Sequence, residues 1–271
     1  IGIVFSINLG ETHLLLLSIL GFLSFCALSA FIYTINDIID RNRDKAHPRK
    51  TNRPIPSGRV TVGGAAALGV ILAIAGISVA SYIGWQFLLV AFSYIGIASS
   101  YSFMLKNIVI IDAICVATGF VIRAIAGTVA ISAAISPWMI ICVFLLAMFL
   151  TFGKRRHELY LLGDDAKNHR DILKSYSMHM TDDMITVSAA TLIMAYSMWT
   201  FLATENLMMF TIPFAIYGLL RYMFFIHMAN EGGRPEKVFK DLPSAVNILL
   251  WGLTVFFILY LAPKLNLVGG G

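Results

Sequence analysis

The chain has 271 residues, of which 58% are hydrophobic and only 13% are charged. This composition excludes an ordinary soluble domain, which needs more polar surface to cover its core. The formal net charge of +5 does not indicate a nucleic-acid partner, because the sequence contains no module that combines basic and aromatic residues for that purpose. The charge instead predicts attraction of anions and a fixed orientation in a membrane.

Long apolar runs recur along the chain, and about 20 apolar residues are enough for a helix to cross a bilayer. These runs predict an all-α fold, a multi-span transmembrane helical bundle with eight visible spans. Pairs of small residues, Ala113/Ala117 and Ala126/Ala130, favour close packing of helices in lipid. The predicted spans are residues 13–36, 61–80, 84–104, 109–133, 137–153, 184–203, 207–229 and 244–262.

Of the 20 Lys and Arg residues, all but Arg123, Arg221 and Lys264 gather at one end of the alternating spans, in the connections 37–60, 154–183 and 230–243 and at Lys106. By the positive-inside rule these connections face the cytoplasm. The sequence therefore predicts one membrane domain over residues 1–271, an integral protein of the cell's inner or plasma membrane. The sequence leaves homo-oligomer formation open.

Clustered acids stand where the first span enters water. On a helix Asp37, Asp40 and Asp44 share one face, directly after Asn36. Such carboxylates repel one another unless a cation lies between them, and oxygen ligands suit Mg²⁺. Because many Lys and Arg residues follow within 41–59, this pattern favours a magnesium site for a diphosphate. The alternative is a solvated helix end with surface ion pairs.

The segment after these acids must leave the helix, because Pro54 and Pro56 disfavour helical geometry at and before their positions. It carries Arg53, a candidate phosphate ligand. We expect Thr61 to cap the next span, although Ser57 is nearly as good a candidate.

Polar residues also mark the third and fourth spans. Tyr101 and Lys106 lie at the cytoplasmic end of one, although Lys106 alone is also typical of an interfacial lysine. Arg123 lies roughly 20 Å into the next span at 1.5 Å per residue, a depth that is costly without a partner or cavity. Asp112 falls on nearly the same helical face, so both residues are predicted to line one polar chamber. The alternative for Arg123 is a structural ion pair between spans.

A basic segment begins the second long connection. Lys154 and Glu158 are four residues apart and point the same way, which fits a phosphate-binding lysine with a carboxylate for a metal or hydroxyl group. The alternative is a surface salt bridge worth a few tenths of a kcal/mol. Arg155 and Arg156 point elsewhere and are predicted to contact lipid phosphates.

Three of these patterns together resemble the UbiA superfamily of intramembrane prenyltransferases. They are Asn36-Asp37-x-x-Asp40-x-x-x-Asp44, then Asn52-Arg53-Pro54-Ile55-Pro56-Ser57-Gly58, and Tyr101-Ser102-x-x-Leu105-Lys106. The resemblance implies nine transmembrane helices around a central cavity that opens to the cytoplasm, where Mg²⁺ holds a diphosphate. Since eight spans are visible, the first family helix is expected to lie mostly upstream of Ile1.

One departure from the family pattern narrows the resemblance. Usual members carry a second aspartate-rich motif, where this chain has the basic segment 153–159. Together with 119–127, that segment is similar to the decaprenyl-phosphate phosphoribosyltransferase branch. The resemblance implies transfer of a 5-phosphoribosyl group from phosphoribosyl diphosphate to a polyprenyl phosphate, with release of diphosphate. This reaction leads to arabinan precursors of the cell wall.

Motif and charge together predict residue roles. Mg²⁺ is expected on Asp37, Asp40 and Asp44, and catalysis is expected to depend on Asp37, Asp40 and Lys154. The expected substrate-binding residues are Asn36, Lys45, Arg53, Tyr101, Lys106, Asp112, Arg123, Arg155, Arg156 and Glu158.

Two rival functions remain. The enzymatic rival moves a polyprenyl group from its diphosphate to an aromatic or glycerol-type acceptor. A transporter or channel should have polar groups that reach both membrane faces, whereas nearly all charge here lies on one side.

Overall fold

The computed structural model describes residues 11–45, 51–162, 171–202, 206–228, 233 and 235–262, and within these ranges the regular structure is helical without strands. The helices are α1 (Thr12–Ile39), α2 (Arg41–Lys45), α3 (Val62–Ile83), α4 (Trp85–Phe103), α5 (Ile111–Val129), α6 (Pro137–Leu162), α7 (Met178–Leu202), α8 (Ile212–Met228) and α9 (Leu242–Phe256). Short 3-10 turns cover Leu105–Asn107, Asp171–Ser175, Asn206–Thr211 and Pro235–Lys240, and a π-helical turn, Phe257–Leu261, follows α9.

Eight helices of the described chain are long and apolar enough to cross a membrane, which confirms the predicted all-α, eight-span fold class. Several helices run beyond the predicted spans. Helix α6 continues to Leu162 and α7 begins at Met178, inside the connection predicted for 154–183. The reason is that hydropathy marks the part of a helix in lipid, whereas backbone hydrogen bonding continues into water. Residues 1–10, 46–50, 163–170, 203–205, 229–232, 234 and 263–271 lie outside the described residues.

The chain divides into two compact units. Unit 1 comprises Ile1–Lys106 and Val121–Ile135, and unit 2 comprises Asn107–Phe120 and Ser136–Gly271. The first half of α5 therefore belongs to unit 2 and its second half to unit 1.

Close contact between α1 and α3 organises unit 1. The Ser24 hydroxyl donates a 2.8 Å hydrogen bond to the Gly76 carbonyl oxygen. A Cβ atom at Gly76 would lie only 2.8 Å from Leu28 side-chain carbons, so glycine permits this approach of the two helices. Ala126 and Ala130 are buried in the same core, as the small-residue pattern predicted. This packing holds α1 against α3 within unit 1.

Unit 2 is built around the packing of α6 against α7. Its core includes Phe149 on α6 and Ile185 on α7, with Tyr222 from α8 against the Phe149 ring at 5.5 Å. Ile172 and Leu173 are buried in this core. They anchor the 3-10 turn that precedes α7 and thereby position the residues that follow it.

The segment 51–60 forms a hydrogen-bonded turn, as Pro54 and Pro56 predicted. The Ser57 and Gly58 amides donate to the Arg53 and Ile55 carbonyl oxygens at 2.9 and 3.1 Å. Gly58 has a φ of 79°, a conformation that glycine adopts without a Cβ penalty. The turn holds Arg53 in a defined place. After the turn, α3 begins with a 3.1 Å cap from the Gly64 amide to the hydroxyl of Thr61, and this confirms Thr61 as the capping residue.

Candidate active site

The acidic motif lies where α1 gives way to α2. Asp40 separates the two helices with φ −83° and ψ 4°. Its amide still donates to the Asn36 carbonyl oxygen at 2.8 Å, and the Asp44 amide donates to the Asp40 carbonyl oxygen at 2.8 Å. The bend therefore keeps the motif nearly helical. We call Asp37, Asp40 and Asp44 with their cationic partners the carboxylate end of unit 1.

Arg53 joins two of the three carboxylates. Its Nη1 atom donates to Asp37 Oδ1 at 2.8 Å and to Asp44 Oδ2 at 2.9 Å. The side chain of Asp37 is 32% exposed, whereas that of Asp44 is only 5% exposed. One guanidinium nitrogen is thus shared between an accessible and a buried acid.

Lys106 forms an ion pair with the third carboxylate, that of Asp40. Its Nζ atom lies 3.1 and 3.2 Å from the two Asp40 oxygens, a contact between residues 66 positions apart. Lys106 stands on the turn Leu105–Asn107, just beyond α4, whose last turn carries the partly exposed Tyr101. The structure therefore brings the first and third of the family-like patterns together. Lys45 is exposed at the end of α2.

Oxygen ligands for a metal are present at the carboxylate end. Asn36 Oδ1 is buried and has no hydrogen-bond partner among the residues that the structure describes. Over the same residues, no three His, Cys, Asp or Glu side chains are close enough to hold a metal ion together. Arg53 and Lys106 instead neutralise the carboxylates. The predicted magnesium ligands Asp37, Asp40 and Asp44 therefore remain a prediction.

Arg123 has an aromatic partner in unit 1. Its Nη2 atom donates to the Tyr94 hydroxyl at 2.8 Å, and its guanidinium carbon lies 5.0 Å from the centre of the Tyr94 ring. The Tyr94 hydroxyl is also 2.9 Å from Ser29 Oγ. A cation over an aromatic face gains electrostatic stabilisation where water is scarce. Sequence reasoning missed Tyr94 and Ser29, although the depth of Arg123 indicated that such partners were required.

A second set of charges is buried in unit 2. Asp112 is completely buried and Arg155 is 3% exposed. Arg155 Nε and Nη2 donate to Asp112 Oδ2 at 2.9 and 2.8 Å. The Tyr176 hydroxyl donates to Asp112 Oδ1 at 2.8 Å. We call Asp112, Arg155, Tyr176 and Glu158 the buried network.

Tyr176 connects this network to a strained backbone position. Its hydroxyl accepts a 2.8 Å hydrogen bond from the Ile110 amide, and Ile110 has a φ of 68°. A β-branched residue rarely adopts this conformation. Burial, together with the hydrogen bond to the Asp112 carboxylate, raises the pKa of the Tyr176 hydroxyl to about 12. The phenol therefore stays neutral and can donate to Asp112 at any physiological pH.

Glu158 and Lys154 do not form the surface salt bridge that their spacing left open as the alternative. Glu158 Oε2 instead accepts a 2.8 Å bond from Arg155 Nη1, three residues earlier. Lys154 is exposed, and within the described chain no ion-pair partner is found for it. Glu158 is thus linked to the buried network, and the Lys154 ammonium group is accessible.

Arg156 also has protein partners in unit 2. Its Nε atom lies 2.5 Å from Asp182 Oδ1, and its Nη1 donates to the Ile226 carbonyl oxygen at 3.0 Å. The sequence predicted that Arg155 and Arg156 would reach lipid phosphates, but both guanidinium groups are buried against carboxylates. Helical periodicity could not reveal those carboxylates, because Asp112 and Asp182 lie on other helices. Tyr176 and Asp182 are further residues that sequence reasoning missed.

Comparisons with known proteins agree with this architecture. The model of the UbiA prenyltransferase family matches residues 2–251. The chain is 31% identical over 254 residues to "Decaprenyl-phosphate phosphoribosyltransferase" of Mycolicibacterium smegmatis, covering 88% of this chain and 80% of that relative. It is 29% identical to the protein of the same name from Corynebacterium glutamicum, covering 90% of this chain and 76% of that relative.

A solved structure shares the fold. It is a UbiA homolog from Archaeoglobus fulgidus bound to GPP and Mg²⁺, with a TM-score of 0.70 and 21% sequence identity. The match covers 90% of this chain and 87% of the archaeal one.

Proposed function

We propose a function for this chain, which belongs to the UbiA prenyltransferase family: transfer of a 5-phosphoribosyl group from phosphoribosyl diphosphate to a polyprenyl phosphate, with release of diphosphate. The observation that carries the proposal is the similarity, over most of the chain, to relatives named decaprenyl-phosphate phosphoribosyltransferase. A decaprenyl phosphate acceptor and a role in making arabinan precursors of the cell wall complete the proposal.

The oxygen donors at the carboxylate end suit Mg²⁺. Asp37 and Asp40 are each about one-third exposed, and Asn36 Oδ1 is an acceptor without a partner in the described part of the chain. Mg²⁺ usually takes one or two carboxylates and completes its coordination with water and phosphate oxygens. When bound here, the metal would neutralise charge that develops on the departing diphosphate.

The cations of unit 1 would bind the phosphates of the donor. Arg53 and Lys106 already lie within 3.2 Å of the carboxylates, so they stand beside the groups proposed to hold the metal. Lys45 is exposed nearby in sequence and adds positive charge. Tyr101 and Arg123 complete the substrate-binding residues proposed for this unit. Positive groups at the place where diphosphate leaves would stabilise the negative charge of the transition state.

In unit 2, Lys154 is the side chain proposed to contact a substrate phosphate, because its ammonium group is exposed. Glu158 is proposed to bind a ribose hydroxyl or the metal. Arg155, held by Asp112, fixes the Glu158 carboxylate at 2.8 Å, and Arg156 braces the same helix through Asp182. A basic segment suits the reaction, because the donor carries a 5-phosphate and the acceptor brings a lipid phosphate.

The reaction needs no strong general base. An acceptor phosphate with a second pKa of about 6 is already ionised near neutrality. One of its oxygens attacks the anomeric carbon of the ribose, a new C–O bond forms, and the bond to diphosphate breaks with its electron pair leaving on diphosphate. The polyprenyl tail would remain in the bilayer. By the positive-inside rule, the basic connections favour a cytoplasmic position for this chemistry.

The test is a transfer assay with purified protein in lipid nanodiscs and MgCl₂. We expect label from phosphoribosyl diphosphate to enter an organic-soluble product only when decaprenyl phosphate is present. The rival is transfer of a polyprenyl group to an aromatic or glycerol-type acceptor, which the match to the prenyltransferase family model favours. Labelled polyprenyl diphosphate with those acceptors tests it. Product in this second assay alone would refute phosphoribosyl transfer.

A further inference from the structure

The three acids of the carboxylate end are not equivalent in burial. Asp44 has a 5% exposed side chain, whereas Asp37 and Asp40 are 32% and 31% exposed. A buried carboxylate is costly to leave without a counterion, while an exposed ion pair is easily exchanged for water or another cation. The bond from Arg53 to Asp44 is therefore the durable one, and its bond to Asp37 is the exchangeable one.

The backbone supports the same division. Arg53 is carried by the 51–60 turn, in which the Val60 amide donates to the Pro54 carbonyl oxygen at 3.0 Å. Ile55 is buried beside it with 6% exposure. The position of Arg53 is thus fixed by the turn and by Asp44 together, independently of Asp37.

From this geometry we infer that the motif has two functions. Asp44 is a positioning residue that keeps the Arg53 guanidinium at the end of α1. Asp37 and Asp40 exchange their cations, Arg53 and Lys106, for a divalent metal that arrives with a diphosphate. The inference rests on the proposed function, and it assigns Asp44 to Arg53 and not to the metal.

This exchange predicts that removing Arg53 changes the affinities for metal and for diphosphate in opposite directions. Without diphosphate, Arg53 competes with the metal for Asp37, so removing Arg53 should strengthen metal binding. With diphosphate, the released guanidinium contacts phosphate oxygens, so removing Arg53 should weaken diphosphate binding. A simple structural role for Arg53 would weaken both, and a simple role as a phosphate ligand would leave metal binding unchanged.

The experiment measures Mn²⁺ binding by electron paramagnetic resonance, with and without inorganic diphosphate, on purified protein in detergent. We expect Arg53→Gln to tighten Mn²⁺ binding by about threefold, the scale of an exposed ion pair, and to weaken diphosphate binding about tenfold. Arg53→Lys should recover part of the diphosphate affinity, since it keeps the charge but loses the forked geometry.

The aspartate variants separate the two functions. Asp37→Asn and Asp40→Asn should weaken Mn²⁺ binding by more than about tenfold, because losing a ligand exceeds the loss of an outer partner. Asp44→Asn should change Mn²⁺ affinity by less than about threefold and weaken diphosphate binding as Arg53→Gln does, with no further loss in the double variant. Asp183→Asn removes an exposed carboxylate elsewhere, 67% exposed, and should change neither affinity.

Two results would overturn the inference while leaving the proposed function intact. The first is Mn²⁺ binding by Asp44→Asn as weak as that of Asp37→Asn. The second is looser Mn²⁺ binding by Arg53→Gln, which decides the question even when Asp44→Asn fails to fold. If the wild-type protein bound neither Mn²⁺ nor diphosphate, the proposed function itself would be refuted. The separate functions assigned to Asp44 and to Asp37 with Asp40 would then be refuted as well.

Discussion

The carboxylate end of unit 1 and the buried network of unit 2 use the same side chains in opposite ways. Both pair aspartate with arginine at distances of 2.8 to 2.9 Å. At the carboxylate end, Asp37 and Arg53 are 32% and 44% exposed. In the buried network, Asp112 and Arg155 are 0% and 3% exposed. Similar ion-pair geometry therefore occurs in two very different dielectric surroundings.

Burial decides what each ion pair can do. An exposed pair contributes about 0–1 kcal/mol and can be replaced by another cation at little cost. A buried pair must stay intact, because losing one member leaves the other charge away from water with too little opposite charge beside it. The carboxylate end is therefore suited to binding charged ligands, and the buried network is suited to holding α5, α6 and the segment before α7 in one arrangement.

The largest effect should come from the exchangeable acids. We expect Asp37→Ala or Asp40→Ala to lower transfer by about a thousandfold, the upper range for loss of one electrostatic contact in a transition state. The thermal unfolding midpoint should change little, since both lost ion pairs are partly exposed. Turnover of labelled phosphoribosyl diphosphate and thermal unfolding, measured on the same preparations, check both expectations. Normal turnover in either variant would refute the assignment.

In the buried network, loss of an acid should chiefly lower the free energy of unfolding. Asp112→Ala leaves the Arg155 guanidinium buried beside an empty space, and we expect a loss of about 3–5 kcal/mol in the free energy of unfolding. Equilibrium unfolding of the purified protein in SDS, followed by tryptophan fluorescence, measures it. The paired replacement Asp112→Leu with Arg155→Met should recover most of that loss, because an apolar pair needs no counterion. A double variant as unstable as the single one would contradict this explanation.

Much of the carboxylate end was predictable from sequence because it depends on contacts and geometry between residues that are near one another in the chain. Helical spacing placed Asp37 and Asp40 on one face, and the prolines required a turn that carries Arg53. Hydropathy located the spans, and Thr61, with Ser57 as the alternative, indicated where the next helix starts. Each of these signals depends on residues close together along the chain, which sequence patterns specify directly.

The buried network was not predictable because its partners are distant in sequence. Arg155 pairs with Asp112, 43 residues earlier, and periodicity gives the face of a helix without giving what lies opposite. Glu158 has a basic neighbour at three and at four residues' distance, and burial selected Arg155 over Lys154. Asp112 and Arg123 share a helical face, yet Asp112 contacts Arg155 and Arg123 contacts Tyr94.

A smaller effect tests whether the network acts as a unit. Tyr176→Phe removes the hydroxyl that donates to Asp112 and accepts from the Ile110 amide. We expect a loss of about 1–3 kcal/mol in the free energy of unfolding, since a buried amide then lacks an acceptor. The control is Tyr160→Phe, where the ring is 53% exposed and no change is expected. Equal losses from both variants would show that the hydroxyl contacts do not matter.

The smallest effect concerns the ion pair of Arg221 with Asp241. Its geometry resembles that of Arg155 with Asp112, but its side chains are less buried. Arg221 Nε and Nη2 donate to the two Asp241 oxygens at 3.1 and 2.9 Å, and Asp241 also caps α9 through the Ser244 amide at 3.1 Å. These contacts, chiefly the bond from Arg221, lower the pKa of Asp241 from 3.8 to about 2. Because the folded pKa is depressed, the stabilisation is present above pH 3.8 and is lost as the pH falls through about 2.

Asp241→Asn isolates this charge, since asparagine caps a helix about as well as aspartate. Near neutral pH the variant should unfold at a slightly lower temperature than the wild type, by less than Tyr176→Phe does. That difference should shrink towards zero as the pH falls from 3.8 to about 2, because the wild-type carboxylate is then protonated as well. Thermal unfolding across this pH range measures it. A difference that did not vary with pH would mean that Asp241 acts through shape and hydrogen bonding, and exposed ion pairs would then be poor models for the carboxylate end.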